Sequence, residues 1–233
     1  MAAPIAPSKP SILFLFDFLS PYAYLASTQI HALAARHGRD VELVPVVFGA
    51  LLDAHGTRGP AEIPARRRYL IRDVVRIAHR FGVPIAPPPA HPFNPLLALR
   101  VASLPMASER RRALVDALYR AAWVDGRDLG DRAVVAAVVA AAGGEPGLVD
   151  AAGTDEAKAR LRRQTDEAIA AGVFGVPTML VDGEPFWGCD SLPYLEGFLA
   201  GERPVHDELV ARWEKLPAAV QRRAVRPGGG SPA

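Results

Sequence analysis

The sequence contains one cysteine, Cys189. That excludes an internal disulfide and any Cys-x-x-Cys redox pair. The six histidines, His31, His37, His55, His79, His91 and His206, show no metal-ligand spacing, so no metal site is expected. Long apolar runs are missing as well. Residues 12–16 are cut short by Asp17, too soon for a signal-peptide core or a bilayer span, and no small-residue cleavage site follows. The expectation is a cytoplasmic protein with no membrane partner. Neither charge is in large excess: the net charge is +2, and the basic residues, nearly all arginine, are scattered beside acidic ones. Without an aromatic-interleaved basic stripe, nucleic acid is not an expected partner.

What is present is apolar bulk. Half of the 233 residues are hydrophobic, enough for one compact domain or one domain carrying an insertion. The stretch around which the chain is organised lies near the start. Residues 12–18, Ile-Leu-Phe-Leu-Phe-Asp-Phe, have the length and apolar character of a central strand covered on both faces. The period then changes. Ser20 is a good N-cap, Pro21 suits the first helical position, and Tyr24, Leu25, Thr28, Ile30 and Leu33 recur at roughly helical spacing until Gly38. Ser20 is therefore expected at a helix start, where unpaired N–H groups and the positive end of the dipole favour an anion. A thiolate is such an anion.

Residues 41–48 predict a second strand, with Pro45 indicating an edge position or a bulge. Residues 49–64 hold Gly56, Gly59, Pro60 and Pro64 and predict a loop. A long helix is expected from Ala65 to Gly82, with Leu70, Val74, Ile77 and Phe81 on one stripe. The proline-rich residues 84–92 predict an extended surface segment. Helical segments follow at 94–103, 108–124, 131–142 and 145–152, and Thr154 is expected to cap another, 155–171, closed by Gly172. The end residues, 1–9 and 226–233, predict disorder, and residues 202–225 a helical extension.

Residues 173–191 are decisive. Asp182-Gly183 between two apolar runs predicts a hairpin of strands 178–181 and 184–187, after which Asp190 is expected to cap a last helix to Leu199. Strand, helix, strand, then helix, hairpin, helix is the thioredoxin order. The fold class predicted is α/β: a thioredoxin-like domain from residues 10–50 and 154–201, with residues 51–153 as an inserted all-helical subdomain. In that order Val176-Pro177 lies beside Ser20, and a cis bond there would turn the backbone of Val176 outward to pair with an extended peptide.

Four blocks, Phe-Leu-Ser-Pro-Tyr-Ala-Tyr-Leu at 18–25, Gly-Pro-Ala-Glu-Ile-Pro-Ala-Arg-Arg-Arg-Tyr at 59–69, Phe-Gly-Val-Pro-Thr at 174–178 and Phe-Trp-Gly-Cys-Asp at 186–190, come in order. Together they resemble the 2-hydroxychromene-2-carboxylate isomerase family, kin to kappa-class glutathione transferases and DsbA oxidoreductases. The resemblance implies a glutathione-dependent isomerase interconverting that chromene and trans-o-hydroxybenzylidenepyruvate in naphthalene-type aromatic breakdown, and a homodimer. It implies that Ser20 takes the place of the redox relatives' first cysteine and donates a hydrogen bond to the glutathione sulfur, lowering that thiol's pKa. It also implies that Val176 and Pro177 meet the cysteinyl backbone, that Trp187, Gly188, Cys189 and Asp190 line the γ-glutamyl end, and that Arg66 and Thr57 lie near glutathione. His91 and Asn94 would face the aromatic carboxylate substrate. Arg66 departs from a lysine and Thr57 from an asparagine in kappa relatives. Cys189 is disfavoured as a nucleophile beside Asp190, while Tyr22 and Tyr69 are expected in the core. Two other readings stand beside this one: a kappa-like transferase or peroxidase, and a non-catalytic module that binds extended peptides.

Overall fold

The structure is a computed structural model that describes residues 11–217. The ends expected to be disordered, and residues 218–225 of the expected extension, lie outside the described residues. A four-stranded sheet of order β2-β1-β3-β4 is built from β1 (Ile12–Phe16), β2 (Val41–Pro45), β3 (Thr178–Val181) and β4 (Glu184–Trp187). β1 pairs parallel with β2 and antiparallel with β3, so the two halves of the thioredoxin order meet along β1 although over 130 residues separate them in sequence. Pro45 lies on the edge strand opposite Phe16, where its missing N–H is tolerated.

The alternation along β1 explains why both faces are buried. Ile12, Phe14 and Phe16 join Leu43, Met179 and Val181 in a core shared with α1 (Pro21–Arg36), α3 (Pro64–Phe81), α4 (Leu96–Ser103) and α5 (Ser108–Trp123). Leu13 and Leu15 face the other way, with Val44, Leu180, Leu51 and Ala168, under α2 (Phe48–Ala54) and α8 (Asp155–Ala170). α6 (Arg132–Ala141) and α7 (Leu148–Ala151) pack against α4 and α5. The Asp182-Gly183 turn has positive φ at both residues, 53° and 86°, the conformation that two-residue hairpins favour.

Several boundaries differ from expectation. β1 ends at Phe16, and the next residue, Asp17, turns its carboxylate to the N–H groups of Leu19 in the following turn and of Phe48 at the start of α2. The second strand stops at Pro45 rather than at residue 48, and residues 49–64 are not all loop: α2 starts at Phe48 and runs to Ala54, and a 3₁₀ turn, Pro60–Glu62, follows, short elements masked by the glycines and prolines. Asp190 does not cap the last helix. A 3₁₀ turn, Cys189–Ser191, precedes α9 (Leu192–Leu199) and displaces the cap position to Ser191, which makes no side-chain cap bond. Among the described residues, 11–200 form one compact unit and 201–217 belong to a second, which contains α10 (Asp207–Glu214), on which Leu209 and Trp213 are exposed.

Candidate active site

The first corner of the site is the turn from β1 into α1. Ser20 is the N-cap of α1, with extended backbone, and its Oγ accepts from the Ala23 N–H at 3.2 Å. Pro21 follows at the first helical position, as its fixed φ favours. The hydroxyl proton is left to donate, and it reaches the Val176 carbonyl at a long 3.4 Å. This corner is braced from below: the Trp123 indole N–H donates to Phe18 O at 2.9 Å, and the Tyr119 hydroxyl to Asp17 O at 3.4 Å. A buried aromatic cluster of Phe16, Phe18, Tyr24 and Tyr119 underlies these bonds.

The opposing corner is the approach to β3. The Val176-Pro177 bond is cis, and the Val176 carbonyl faces Ser20. The cavity side of this corner is aromatic. Phe174 and Trp187 lie with ring centroids 5.0 Å apart and both are about half exposed, while His55 meets Phe174 edge-on and bonds Val173 O through Nε2. Trp187 is thus a rim residue rather than a core one.

Between the corners lies a cavity of about 530 Å³, within the range of small-molecule sites. Leu19, Ser20, Pro21 and Tyr22 form one wall, Phe174, Gly175, Val176 and Trp187 another, and Phe48, Thr57 and Arg66 a third. Its charges are uneven. Arg58 pairs with Glu62 at 3.8 Å, whereas Arg66, in the first turn of α3, has no ion-pair partner among the described residues. The unpaired guanidinium makes the cavity attractive to an anion. His91 also lines it: Nε2–H donates to Leu19 O at 3.1 Å, which sets the tautomer, and burial lowers its pKa, so the ring is neutral at neutral pH.

Ser20, Val176, Trp187, Arg66, Thr57 and His91 are therefore brought to one cavity. Pro177 adjoins it through the cis bond. Four expected residues are not brought there. Asn94 is exposed, and its Oδ1 accepts the Leu96 N–H at the head of α4. Gly188 turns the chain with φ of 89°, the carboxylate of Asp190 folds over it, and Cys189 is carried inward. Cys189 and Asp190 line a separate depression of about 230 Å³ beside α1 and α9. Burial, reinforced by Asp190 and Asp73, pushes the Cys189 thiol up to about 12, so it is no nucleophile. Tyr69 is 61% exposed and not in the core, because α3 turns its apolar stripe of Leu70 and Val74 inward instead.

Two features lie beyond the sequence pattern. Phe174 lines the cavity, and its only sequence signal is an aromatic residue next to Gly-Val-Pro. Asp17 bonds two backbone N–H groups, and its only sequence signal is a lone carboxylate in an apolar run.

A β2-β1-β3-β4 sheet with a helix-capping serine hydroxyl facing a cis X-Pro bond defines a thioredoxin-fold protein. The chain belongs to the DSBA-like thioredoxin domain family, which matches residues 11–200. It is 31% identical to the 2-hydroxychromene-2-carboxylate isomerase of Pseudomonas sp. (strain C18) over 198 residues, 84% of this chain and 92% of that one. It is 26% identical to glutathione S-transferase kappa 1 of Caenorhabditis elegans over 227 residues, 90% and 100% of the two chains. A solved structure of 2-hydroxychromene-2-carboxylate isomerase superposes with a TM-score of 0.76 at 26% identity, covering 89% of this chain and 99% of that one. The resemblance carried by the four sequence blocks thus extends over most of the chain, and relatives that are isomerases and transferases support an enzyme. No helix among the described residues is long and apolar enough to cross a membrane.

Proposed function

We propose that the protein is a glutathione-dependent isomerase of the 2-hydroxychromene-2-carboxylate type, with Ser20 as the residue that holds the reactive sulfur. The observation that supports this best is the donor geometry of Ser20. Its hydroxyl already accepts from Ala23 N–H, so its single proton is committed outward, and its present acceptor, Val176 O, lies at the outer limit of a hydrogen bond. Redirecting that proton to a sulfur costs little.

The fit of glutathione rests on the same corner. The cavity is large enough, Ser20 stands at the start of a helix where negative charge is favoured, and the Val176 main chain is beside it. Glutathione held there by Ser20 and the Val176 main chain would supply thiol chemistry: reversible addition to a conjugated double bond, which lets that bond rotate before the C–S bond breaks again and the thiol leaves unchanged. The chain's own residues orient and stabilise. Ser20 holds charge on the sulfur, Arg66 holds the substrate carboxylate, and Phe174 and Trp187 offer flat apolar surface to the aromatic ring. His91, neutral and held by Leu19 O, closes the wall near Pro21.

The test is an ultraviolet scan for thiolate when glutathione is added at neutral pH to wild type and to Ser20→Ala, with turnover of the chromene measured in parallel. Loss of the thiolate signal and of turnover in the variant supports the reading; equal thiolate signals in both proteins refute it. The kappa relative motivates a second assay. Turnover of a generic aromatic halide, with none of the chromene, would make the protein a transferase.

A further inference from the structure

Asp17 is 1% exposed and sits at the end of a strand that is otherwise apolar. Burying a carboxylate there is costly unless its oxygens are satisfied. One oxygen accepts the Leu19 N–H at 2.9 Å and the other the Phe48 N–H at 2.9 Å. The two donors belong to different walls of the cavity: Leu19 and Ser20 lie on one side, Phe48 and Gly49 on the other. Phe48 is also the first residue of α2, so its N–H has no partner within the helix.

We propose that Asp17 is a positioning residue for the Ser20 site, its carboxylate tying the β1–α1 corner to the start of α2 so that the cavity keeps one width. This rests on the glutathione reading above. An apolar residue would leave both N–H groups without a partner, and an amide would serve only one of them, because its NH₂ would oppose the other donor. Protonation has a similar effect, since the O–H must turn away from one N–H. No charged side chain pairs with Asp17 among the described residues. The polar groups facing it from neighbouring elements are Tyr119 of α5, which donates to its main-chain carbonyl, and His91, which holds the adjacent Leu19 carbonyl. Burial outweighs the two backbone bonds and pushes the carboxyl up to about 6, so the tie is intact above that pH and loosens below it.

The test is calorimetric binding of S-methylglutathione, which has no titrating thiol, to the full chain between about pH 5 and about pH 8. Wild type is expected to lose about tenfold in affinity as pH falls through the Asp17 midpoint. Asp17→Asn is expected to bind weakly and without that limb, and Ser20→Ala to retain it. Wild-type affinity and an unchanged limb in Asp17→Asn would overturn the proposal. A measurement on wild type alone keeps the question open to refutation if the variant does not fold: the Asp17 carboxyl is titrated by carbon NMR while the Leu19 and Phe48 amide signals are followed. A shared midpoint supports the tie, and amides that stay still while the carboxyl titrates refute it. Absence of ligand binding to wild type at every pH would refute the glutathione reading, and the NMR titration would still decide the role of Asp17.

Discussion

Ser20 Oγ lies 3.4 Å from the carbonyl oxygen of Val176, a residue 156 positions further along the chain. The contact joins the start of α1 to the cis Val176-Pro177 bond, and Ser20 and Val176 both line the cavity. Its length matters for chemistry, because a long hydrogen bond yields its proton to a better acceptor at small cost.

Ser20 caps α1, and in the proposed function it also holds the reactive sulfur; the two roles can be separated by substitution. Removing a cap hydroxyl typically costs about 1 kcal/mol with alanine but only a few tenths with glycine. Removing one positioned donor from a reacting atom costs about 100-fold or more in turnover. Ser20→Ala and Ser20→Gly are therefore expected to lose activity alike while differing in stability. Chemical denaturation alongside chromene turnover checks this, and activity that follows stability across the pair would contradict it.

Arg66 is the cavity's unpaired cation. Arg66→Gln is expected to raise KM for the anionic substrate about 10-fold or more, since a charge-assisted bond is worth about 1.5–3 kcal/mol, with a smaller change in kcat. Arg66→Lys should recover part of the loss. Steady-state kinetics at low and high salt measure both effects; a fall in kcat with KM unchanged would place Arg66 elsewhere in the mechanism.

Gly175 leaves room for the indole of Trp187. A Cβ at Gly175 would lie 2.6 Å from Trp187 Nε1, closer than real contacts allow, so the ring must move in Gly175→Ala. The expected result is a changed tryptophan emission and a weaker response to added glutathione. Emission and binding both equal to wild type would show that the rim does not depend on this glycine.

Cys189 is buried and its thiol is pushed up to about 12, leaving almost no thiolate near neutral pH. A disulfide reagent at mildly alkaline pH should label no thiol in the native chain and one after unfolding. Rapid labelling of the folded protein would mean that the thiol is accessible and acidic.

Asp17 gives stability an unusual slope with pH. Its folded pKa is raised from 3.8 to about 6, so between those values the folded state binds more protons than the unfolded one. The contribution of this group to unfolding free energy therefore falls as pH rises from about 4 to about 6, by up to about 3 kcal/mol, and is constant above. Asp17→Asn should lack that decline. Urea titrations of both proteins across this range make the comparison, and parallel pH profiles would show that the carboxyl is not raised.

Local chemistry was legible in the sequence wherever neighbours along the chain decide the outcome. The Ser20 cap, Pro21 at the first helical position, the Thr154 cap and the Asp182-Gly183 hairpin depend on bonds spanning a few residues, and each stands where the pattern placed it. The alternation of β1 and the element order were enough to expect a thioredoxin-like sheet buried on both faces. Tertiary structure decided which side chains share a space. Cys189 and Asp190 are two and three positions from Trp187, yet one left-handed glycine, Gly188, sends them to another depression. Asp17 looked like a blemish in a strand until α2 supplied the second N–H that explains it. Periodicity records the surroundings of the backbone; it cannot record a hydrogen bond whose partner arrives from a distant turn.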